Sequence, residues 1–367
     1  MDKIKKNFGF GMMRLPGNGA PEFYDEITAM IDYFMVNGFN YFDTARPYGQ
    51  GKSEIAIGKC LSERYPRESF FLTDKLTSSF YKTEEELRPL FESQLEATKV
   101  DYFDLYLLHA QNAEKFETNK KLHVYEFIKQ LKEEGKVRHI GMSFHDTADV
   151  LDKILTEWPD LEVVQLQFNY LDYESESVQS KACYDVCVKH NKKVIVMEPL
   201  RGGRLARLYG ESKEVLDKLG DASYASYGIR FAASHENVMM VLSGMSTLDQ
   251  VKDNVSFMKE FKPLNEEEFS AVKKVADIIN SMKQVPCTAC HYCTDGCPQS
   301  IDIPEIFKAL NMRIAGSGFD ASAYYKKAID DKGKASDCIE CGQCEKECPQ
   351  GIKVREFLKY SVAEFEN

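Results

Sequence analysis

Short β-type runs alternate with helix-length amphipathic segments from the N-terminus to about residue 262, and this alternation constrains the chain more than any other feature. The strand runs are Phe39 to Phe42, Phe70 to Leu72, Phe103 to Leu108, Val137 to Met142, Val163 to Gln167, Val194 to Met197 and Val238 to Leu242. Helix-length stretches separate them: Glu22 to Asn37, Thr83 to Thr98, Val124 to Glu134, Ala148 to Leu155, Ser177 to His190 and Tyr224 to Ser234. Such alternation implies a parallel sheet, closed as a (β/α)8 barrel or open and doubly wound. A further small strand around Phe8 to Met12 brings the count to eight, and no G-x-G-x-x-G follows any strand. The fold expected is therefore α/β, a (β/α)8 TIM barrel. Leu264 to Met282 reads as a charged helix leading through Val285-Pro286 into a different kind of sequence. The expected division is 1–283 for the barrel and 284–367 for a second, small, mainly helical domain.

That second domain carries a duplicated cysteine pattern. Cys287, Cys290, Cys293 and Cys297 precede Pro298, and Cys338, Cys341, Cys344 and Cys348 precede Pro349. Each copy reads C-x2-C-x2-C-x3-C-P, a spacing that wraps three thiolates around one 4Fe-4S cube and lends the fourth to another. Crossed ligation would place Cys287, Cys290, Cys293 and Cys348 on one cluster, with Cys338, Cys341, Cys344 and Cys297 on the second. Zinc and structural disulfides are the competing uses of such cysteines. The third evenly spaced cysteine and the following proline, present twice, favour a ferredoxin-like electron-transfer module. Between the copies runs a long insertion, Pro298 to Asp337, with helix signals at Ile303-Pro304-Glu305 and from Ala321 to Asp330.

At 367 residues with 43% hydrophobic side chains, the chain can fill a sizeable core. The start runs from charged residues straight into Phe8-Gly9-Phe10 without an apolar signal region. No apolar run approaches the roughly 20 residues needed to span a bilayer. These features lead us to expect a cytoplasmic protein, with its thiols reduced and available to iron. The net charge of −11 argues against a nucleic-acid partner.

Four ionisable residues fall where barrel strands end. Asp43 closes the second strand, Tyr48 follows in the adjoining loop, Lys75 closes the third strand and His109 the fourth. Strand C-termini are where a barrel builds its active site. Singly, each has an ordinary structural use; together they suit hydride reduction of a carbonyl. A nearby Lys75 ammonium favours the Tyr48 anion and so eases proton donation. Asp43 orients Lys75, and His109 hydrogen-bonds the carbonyl oxygen.

With these residues in this order, the chain resembles the aldo-keto reductase family, whose Asp-Tyr-Lys-His tetrad lies on a (β/α)8 barrel. The matching segments are Asp43-Thr44-Ala45-Arg46-Pro47-Tyr48-Gly49, Leu72-Thr73-Asp74-Lys75 and Asp104-Leu105-Tyr106-Leu107-Leu108-His109. The likeness continues through Arg138-His139-Ile140-Gly141-Met142-Ser143 and Val164-Gln165-Leu166-Gln167. It implies that Ser143 and Gln165 contact a nicotinamide carboxamide. The whole chain resembles the subgroup that carries a ferredoxin-type tail. Three positions depart from the family pattern: Phe144 stands where an asparagine is common, Met197 where a tyrosine stacks on the nicotinamide, and Gly244, Met245 and Gln250 before Asn254 where phosphate-binding cations occur. Loss of those cations weakens the preference for NADPH over NADH. Arg201 or Arg204, with Gly202 and Gly203, forms a loop that could hold a diphosphate, or simply a solvated loop. Ser243 and Gly244 precede a helix expected over Thr247 to Phe257, an anion site by its backbone donors.

The remaining cysteines read as packing residues, Cys183 and Cys187 on one helix and Cys60 on another. His291 reads as exposed or as tuning a cluster. The activity expected is an oxidoreductase linking NADPH or NADH to a carbonyl/alcohol pair and to two 4Fe-4S clusters. Hydride carries two electrons and a cluster one, so coupling requires a converter such as a flavin, or a substrate that tolerates single-electron steps. No sequence feature holds a flavin. A ferredoxin or flavodoxin-type carrier fits as redox partner. The alternative is an electron-carrier or docking protein whose barrel has lost hydride transfer.

Overall fold

In a computed structural model, which describes residues 1–208, 210–282, 284–314 and 321–366, the chain divides into two compact units. The first comprises Met1–Pro199 and Ile229–Pro263; the second comprises the described residues of 200–228 and 264–367. Residues 315–320 of the inter-cluster insertion fall outside the described set.

The first unit is built on a closed, all-parallel barrel, each strand paired with the next and the eighth with the first. Its strands are β1 (Phe8–Gly11), β2 (Tyr41–Asp43), β3 (Phe71–Leu76), β4 (Phe103–Gln111), β5 (Val137–Phe144), β6 (Val163–Gln167), β7 (Lys193–Met197) and β8 (Val238–Gly244). Every expected strand is present, mostly longer at the C-terminal end than its apolar core suggests. Polar residues such as Asp74 and Lys75 dilute the β signal there while the ladder continues through them, and beyond Leu108 the β4–β5 register shifts before pairing resumes at Gln111.

Strand alternation sorts the side chains. Tyr41, Phe71, Leu105, Leu107, Val163, Ile195, Met240 and Leu242 form one cluster in the barrel interior. Gly9 and Gly141 sit in the same phase, where a Cβ on Gly141 would lie 2.5 Å from the Val163 carbonyl oxygen and one on Gly9 2.8 Å from Leu242 and Tyr41. These glycines leave the room that larger neighbours fill. The opposite phase faces the helices: Phe8, Phe10 and Phe42 pack with Phe34 and Phe39 at ring-centroid distances of 5.0–6.2 Å.

The helices of the first unit are α1 (Tyr24–Val36), α2 (Lys52–Ile57), α3 (Leu87–Thr98), α4 (Ala113–Lys121), α5 (Val124–Glu133), α6 (Ala148–Glu157) and α7 (Ser180–Lys189). In α5 the buried stripe is Val124, Ile128 and Leu131, spaced i, i+4, i+7. Thr83 and Glu86 form a capping box on the short 3-10 turn ahead of α3. α8 (Gly210–Asp217) lies in the second unit, α9 (Tyr224–Ala233) spans the division, and α10 (Leu248–Met258) follows β8.

The second unit contains α11 (Glu266–Ser281), α12 (Ile303–Ile314), α13 (Ala321–Ala328), α14 (Gln343–Glu347) and α15 (Val354–Phe365). A capping box of Asn265 and Glu268 starts α11. Its small core gathers Val285, Ile301, Ile303, Ile306, Phe307, Leu310, Tyr325, Val354 and Leu358, with six of the eight motif cysteines in or against it.

Candidate active site

The C-terminal ends of the barrel strands bring the four sequence-predicted residues together. On the inward phase, Asp43 ends β2, Lys75 lies two residues beyond Thr73 on β3, and His109 two beyond Leu107 on β4. Lys75 Nζ donates to Asp43 Oδ1 at 2.5 Å, to the Thr44 carbonyl at 2.9 Å and to the Tyr48 hydroxyl at 3.2 Å. Lys75 is fully buried and Asp43 only 2% exposed. Gln165 on β6 donates to the other carboxylate oxygen, Asp43 Oδ2, at 3.1 Å. Removing two charges from water is costly, and such a pair persists because its geometry and extra hydrogen bonds offset the desolvation.

Burial pushes the Tyr48 phenol well above its ordinary range, reinforced by the negative charges of Asp43, Asp74 and Glu198 and opposed by Arg14. This reverses the direction expected from the Lys75 ammonium alone, because desolvation is the larger effect. Tyr48 is consequently protonated at neutral pH, the form a proton donor requires. Burial also holds the His109 imidazole well below its usual value, helped by the positive charges of Lys75 and Lys115. The neutral ring stands edge-on to Tyr48, with centroids 6.0 Å apart and planes at 83°. Its Nδ1 lies 2.7 Å from Thr77 Oγ1.

Thr77 escaped notice in the sequence because nothing local marks a threonine after a strand as a histidine partner. Gln111 is a second such residue: it donates to the His109 carbonyl at 3.2 Å and accepts from Asn119 at 3.0 Å. Arg14 and Glu198, paired at 3.5 Å, also act on Tyr48 through their charges.

The residues expected to hold a nicotinamide are arranged unevenly. Ser143 and Gln165 are register partners on adjacent strands and both are buried. Ser143 Oγ accepts the Ala110 N–H at 2.7 Å, which leaves its hydroxyl proton to donate, and Gln165 keeps its carbonyl oxygen to accept. This pairing fits a carboxamide. Met197 ends β7, half-buried. Ser243 and Gly244 lie within β8, short of the helix, and Ser243 donates to Asn254 Oδ1 at 2.9 Å. The start of α10 is capped internally, Gln250 N donating to Thr247 Oγ1 and Ser246 N to Gln250 Oε1. Arg201 and Gly202 belong to the second unit, where a Cβ on Gly202 would lie 2.1 Å from the Thr288 carbonyl oxygen. That glycine, at φ +65°, is packed against the backbone next to Cys287. Arg204 bonds Gln284.

The eight cysteines fall into the crossed groups. Cys297, Cys338, Cys341 and Cys344 line one cavity, about 340 Å³ of empty space including open solvent. Burial and the neighbouring Cys287, Cys290 and Cys348 push the Cys293 thiol up, which places Cys348 with the first three. Among the described residues no three His, Cys, Asp or Glu side chains come together closely enough to hold a single metal ion. Cys341 is exposed and Cys344 buried, while Cys60, Cys183 and Cys187 are buried packing residues. His291 faces Asp302 at 3.8 Å and is 46% exposed at its side chain. Among the described residues no helix is long and apolar enough to cross a membrane.

Comparison with known proteins agrees with this geometry. The model of the aldo/keto reductase family matches residues 7–277, and that of a 4Fe-4S dicluster domain matches residues 286–353. The chain is 25% identical over 298 residues to L-galactose dehydrogenase of Arabidopsis thaliana, covering 75% of this chain and 91% of that protein. It is 24% identical over 263 residues to an NADH-specific methylglyoxal reductase of Escherichia coli, covering 60% and 78%. Among solved structures, the holo form of an aldo-keto reductase from Bacillus halodurans superimposes with TM-score 0.60 at 25% identity, over 74% of this chain and 92% of that one. An aldo-keto reductase from Klebsiella pneumoniae in complex with NADPH gives TM-score 0.61 at 18% identity, over 74% and 90%, a likeness of fold. Eight parallel strands that bring Asp43, Tyr48, Lys75 and His109 within reach of one another, and a family match over most of the length, make this chain a member of the aldo/keto reductase family, an oxidoreductase with a C-terminal 4Fe-4S dicluster domain.

Proposed function

We propose that the barrel interconverts a small aldehyde or ketone with its alcohol, using NADPH or NADH, and that the second unit carries two 4Fe-4S clusters that exchange electrons with an external carrier. The observation that supports this most is the position of Lys75 Nζ, 3.2 Å from the Tyr48 hydroxyl and 2.5 Å from Asp43. A bound nicotinamide supplies hydride to the carbonyl carbon. Tyr48 holds the proton that the carbonyl oxygen takes as it becomes an alkoxide. Lys75 stabilises the phenolate left behind, and Asp43 keeps Lys75 charged and aimed. Neutral His109, fixed through Nδ1 by Thr77, donates from Nε2 to the same oxygen and sets its angle. Ser143 and Gln165 would orient the carboxamide.

In the second unit, 4Fe-4S clusters supply one-electron transfer. Cys287, Cys290, Cys293 and Cys348 would hold one, and Cys297, Cys338, Cys341 and Cys344 the other. A ferredoxin or flavodoxin-type protein is the class of carrier proposed. Methylglyoxal and L-galactose are the first substrates to try, since relatives bear those names.

The test is turnover by full-length protein purified without oxygen. Tyr48→Phe should lower carbonyl reduction by about 10²- to 10⁴-fold. Unchanged turnover in that variant refutes the acid role. A second reading, a carrier whose barrel no longer transfers hydride, draws support from Gln250 and Asn254, whose side-chain oxygens accept from Ser246 N and Ser243 Oγ. Nicotinamide titration separates the two: tight binding without turnover of any carbonyl favours the carrier.

A further inference from the structure

Behind the strand end that presents Lys75, the layer between sheet and helices buries two more carboxyl groups. Alternation turns Lys75 into the barrel and Asp74 the opposite way, where a parallel sheet ordinarily packs apolar side chains against helices. Asp74 is 0% exposed and Glu54 of α2 is 1% exposed. Gln94 of α3 binds both. Its Nε2 lies 3.0 Å from Glu54 Oε1, 3.1 Å from Asp74 Oδ1 and 3.0 Å from the Lys75 carbonyl oxygen. The Tyr106 hydroxyl donates to Gln94 Oε1 at 2.5 Å, which settles the orientation of that amide. Asp74 Oδ1 accepts the Lys75 backbone N–H at 2.7 Å. Both main-chain polar groups of Lys75 are therefore held by this cluster. Arg46, from the loop that carries Tyr48, puts Nε 2.7 Å from Glu54 Oε2 and donates to Ser93 at 2.9 Å.

Asp74 Oδ2 is buried, and among the described residues no donor reaches it. With both groups ionised, two carboxylates would sit together in a buried layer against a single guanidinium, with Asp74 Oδ2 and Glu54 Oε2 both lacking a hydrogen bond. Adjacent buried carboxylates cannot both ionise cheaply. A proton on Oδ2 resolves this: Asp74 becomes a donor to Glu54, Oδ2 is satisfied, and one negative charge faces Arg46.

We propose that Asp74 and Glu54 share one proton at neutral pH, and that the pair is a positioning device holding the Lys75 backbone and, through Arg46, the Tyr48 loop in register. The charged and titratable groups facing the pair are Arg46, Lys75, Tyr48 and Tyr106. Burial raises both carboxyl groups, Asp74 well above the usual range, in keeping with the geometry. The positioning role rests on the proton-transfer roles proposed for Tyr48 and Lys75; the shared proton does not.

Infrared difference spectra of the full-length protein near neutral pH read the proton directly. The carbonyl stretch of a buried carboxylic acid should disappear in Asp74→Asn and persist in Tyr48→Phe. Absence of that band in the wild type, or its persistence in Asp74→Asn, overturns the shared proton. Turnover reads the positioning. Asp74→Ala should lower kcat about tenfold or more with little change in KM, and Asp74→Asn, whose amide donates to Glu54 as the acid does, should rescue it. Wild-type kcat should fall at alkaline pH as the pair loses its proton, with a flatter profile in Asp74→Asn. Equal kcat in the Ala and Asn variants overturns the role; should Asp74→Ala not fold, identical alkaline limbs in wild type and Asp74→Asn do so. A wild type with the band but without carbonyl turnover sinks the reaction assignment instead.

Discussion

The Lys75 ammonium and the Asp43 carboxylate meet at 2.5 Å in the barrel interior, across 32 residues of sequence and almost entirely out of water. Two charges in such a place stabilise each other without stabilising the fold as much as their attraction suggests. Lys75→Met leaves Asp43 buried and unpaired, at a cost of about 3–5 kcal/mol. Adding Asp43→Asn should restore most of the lost stability and none of the turnover. Thermal unfolding and carbonyl reduction on the two variants check this, and a double variant no more stable than Lys75→Met contradicts it.

Thr77 holds Nδ1 of His109, so Thr77→Val should free the ring and lower kcat about tenfold while nicotinamide affinity stays the same. Thr77→Ser should keep the wild-type rate. A Thr77→Val enzyme with undiminished kcat would show that another group orients the imidazole.

His109 is neutral in the folded chain because burial holds its pKa well below 6.5. The unfolded chain takes up a proton at that position as pH falls below about 6.5, so it binds more protons than the native state there. The stability this group contributes is present above about pH 6.5 and is lost as pH falls toward its folded value, by up to about 1.4 kcal/mol per pH unit. His109→Gln should flatten that part of the profile. Denaturation midpoints of the two proteins across mildly acidic pH make the comparison, and parallel profiles count against a buried neutral imidazole.

The crossed cysteine groups make a definite statement about single replacements. Cys297→Ser should disturb the cluster of Cys338, Cys341 and Cys344, and Cys348→Ser that of Cys287, Cys290 and Cys293, each halving iron from about eight to about four per chain. Selective reconstitution read by electron paramagnetic resonance tells which cluster is lost. Because six motif cysteines pack in or against the small core of the second unit, iron chelation should also melt α12 to α15 before the barrel. Simultaneous unfolding of both units would contradict this.

Sequence and structure agree most closely where information is local. β6 runs from Val163 to Gln167, as its apolar run indicates, and the duplicated cysteine spacing already implies which fourth ligand belongs to which group. Asp43, Lys75 and His109 could be read as site residues because each follows an apolar run at a strand end. α4 was not anticipated: Ala113–Lys121 buries only Phe116 and Asn119, too little for an amphipathic stripe.

By itself, the sequence determined the elements, their parallel alternation, the two cysteine groups and the four residues at the strand ends, since period, turn chemistry and motif spacing act over a few residues. Only the tertiary structure decided what those residues meet: Gln165 on Asp43 across 122 positions, Thr77 on His109, and Asp74 with Glu54 behind Lys75. It also decided the protonation of Tyr48 and His109. Closure of the barrel removes water from these groups, and desolvation is a property of the assembled interior that no stretch of sequence carries.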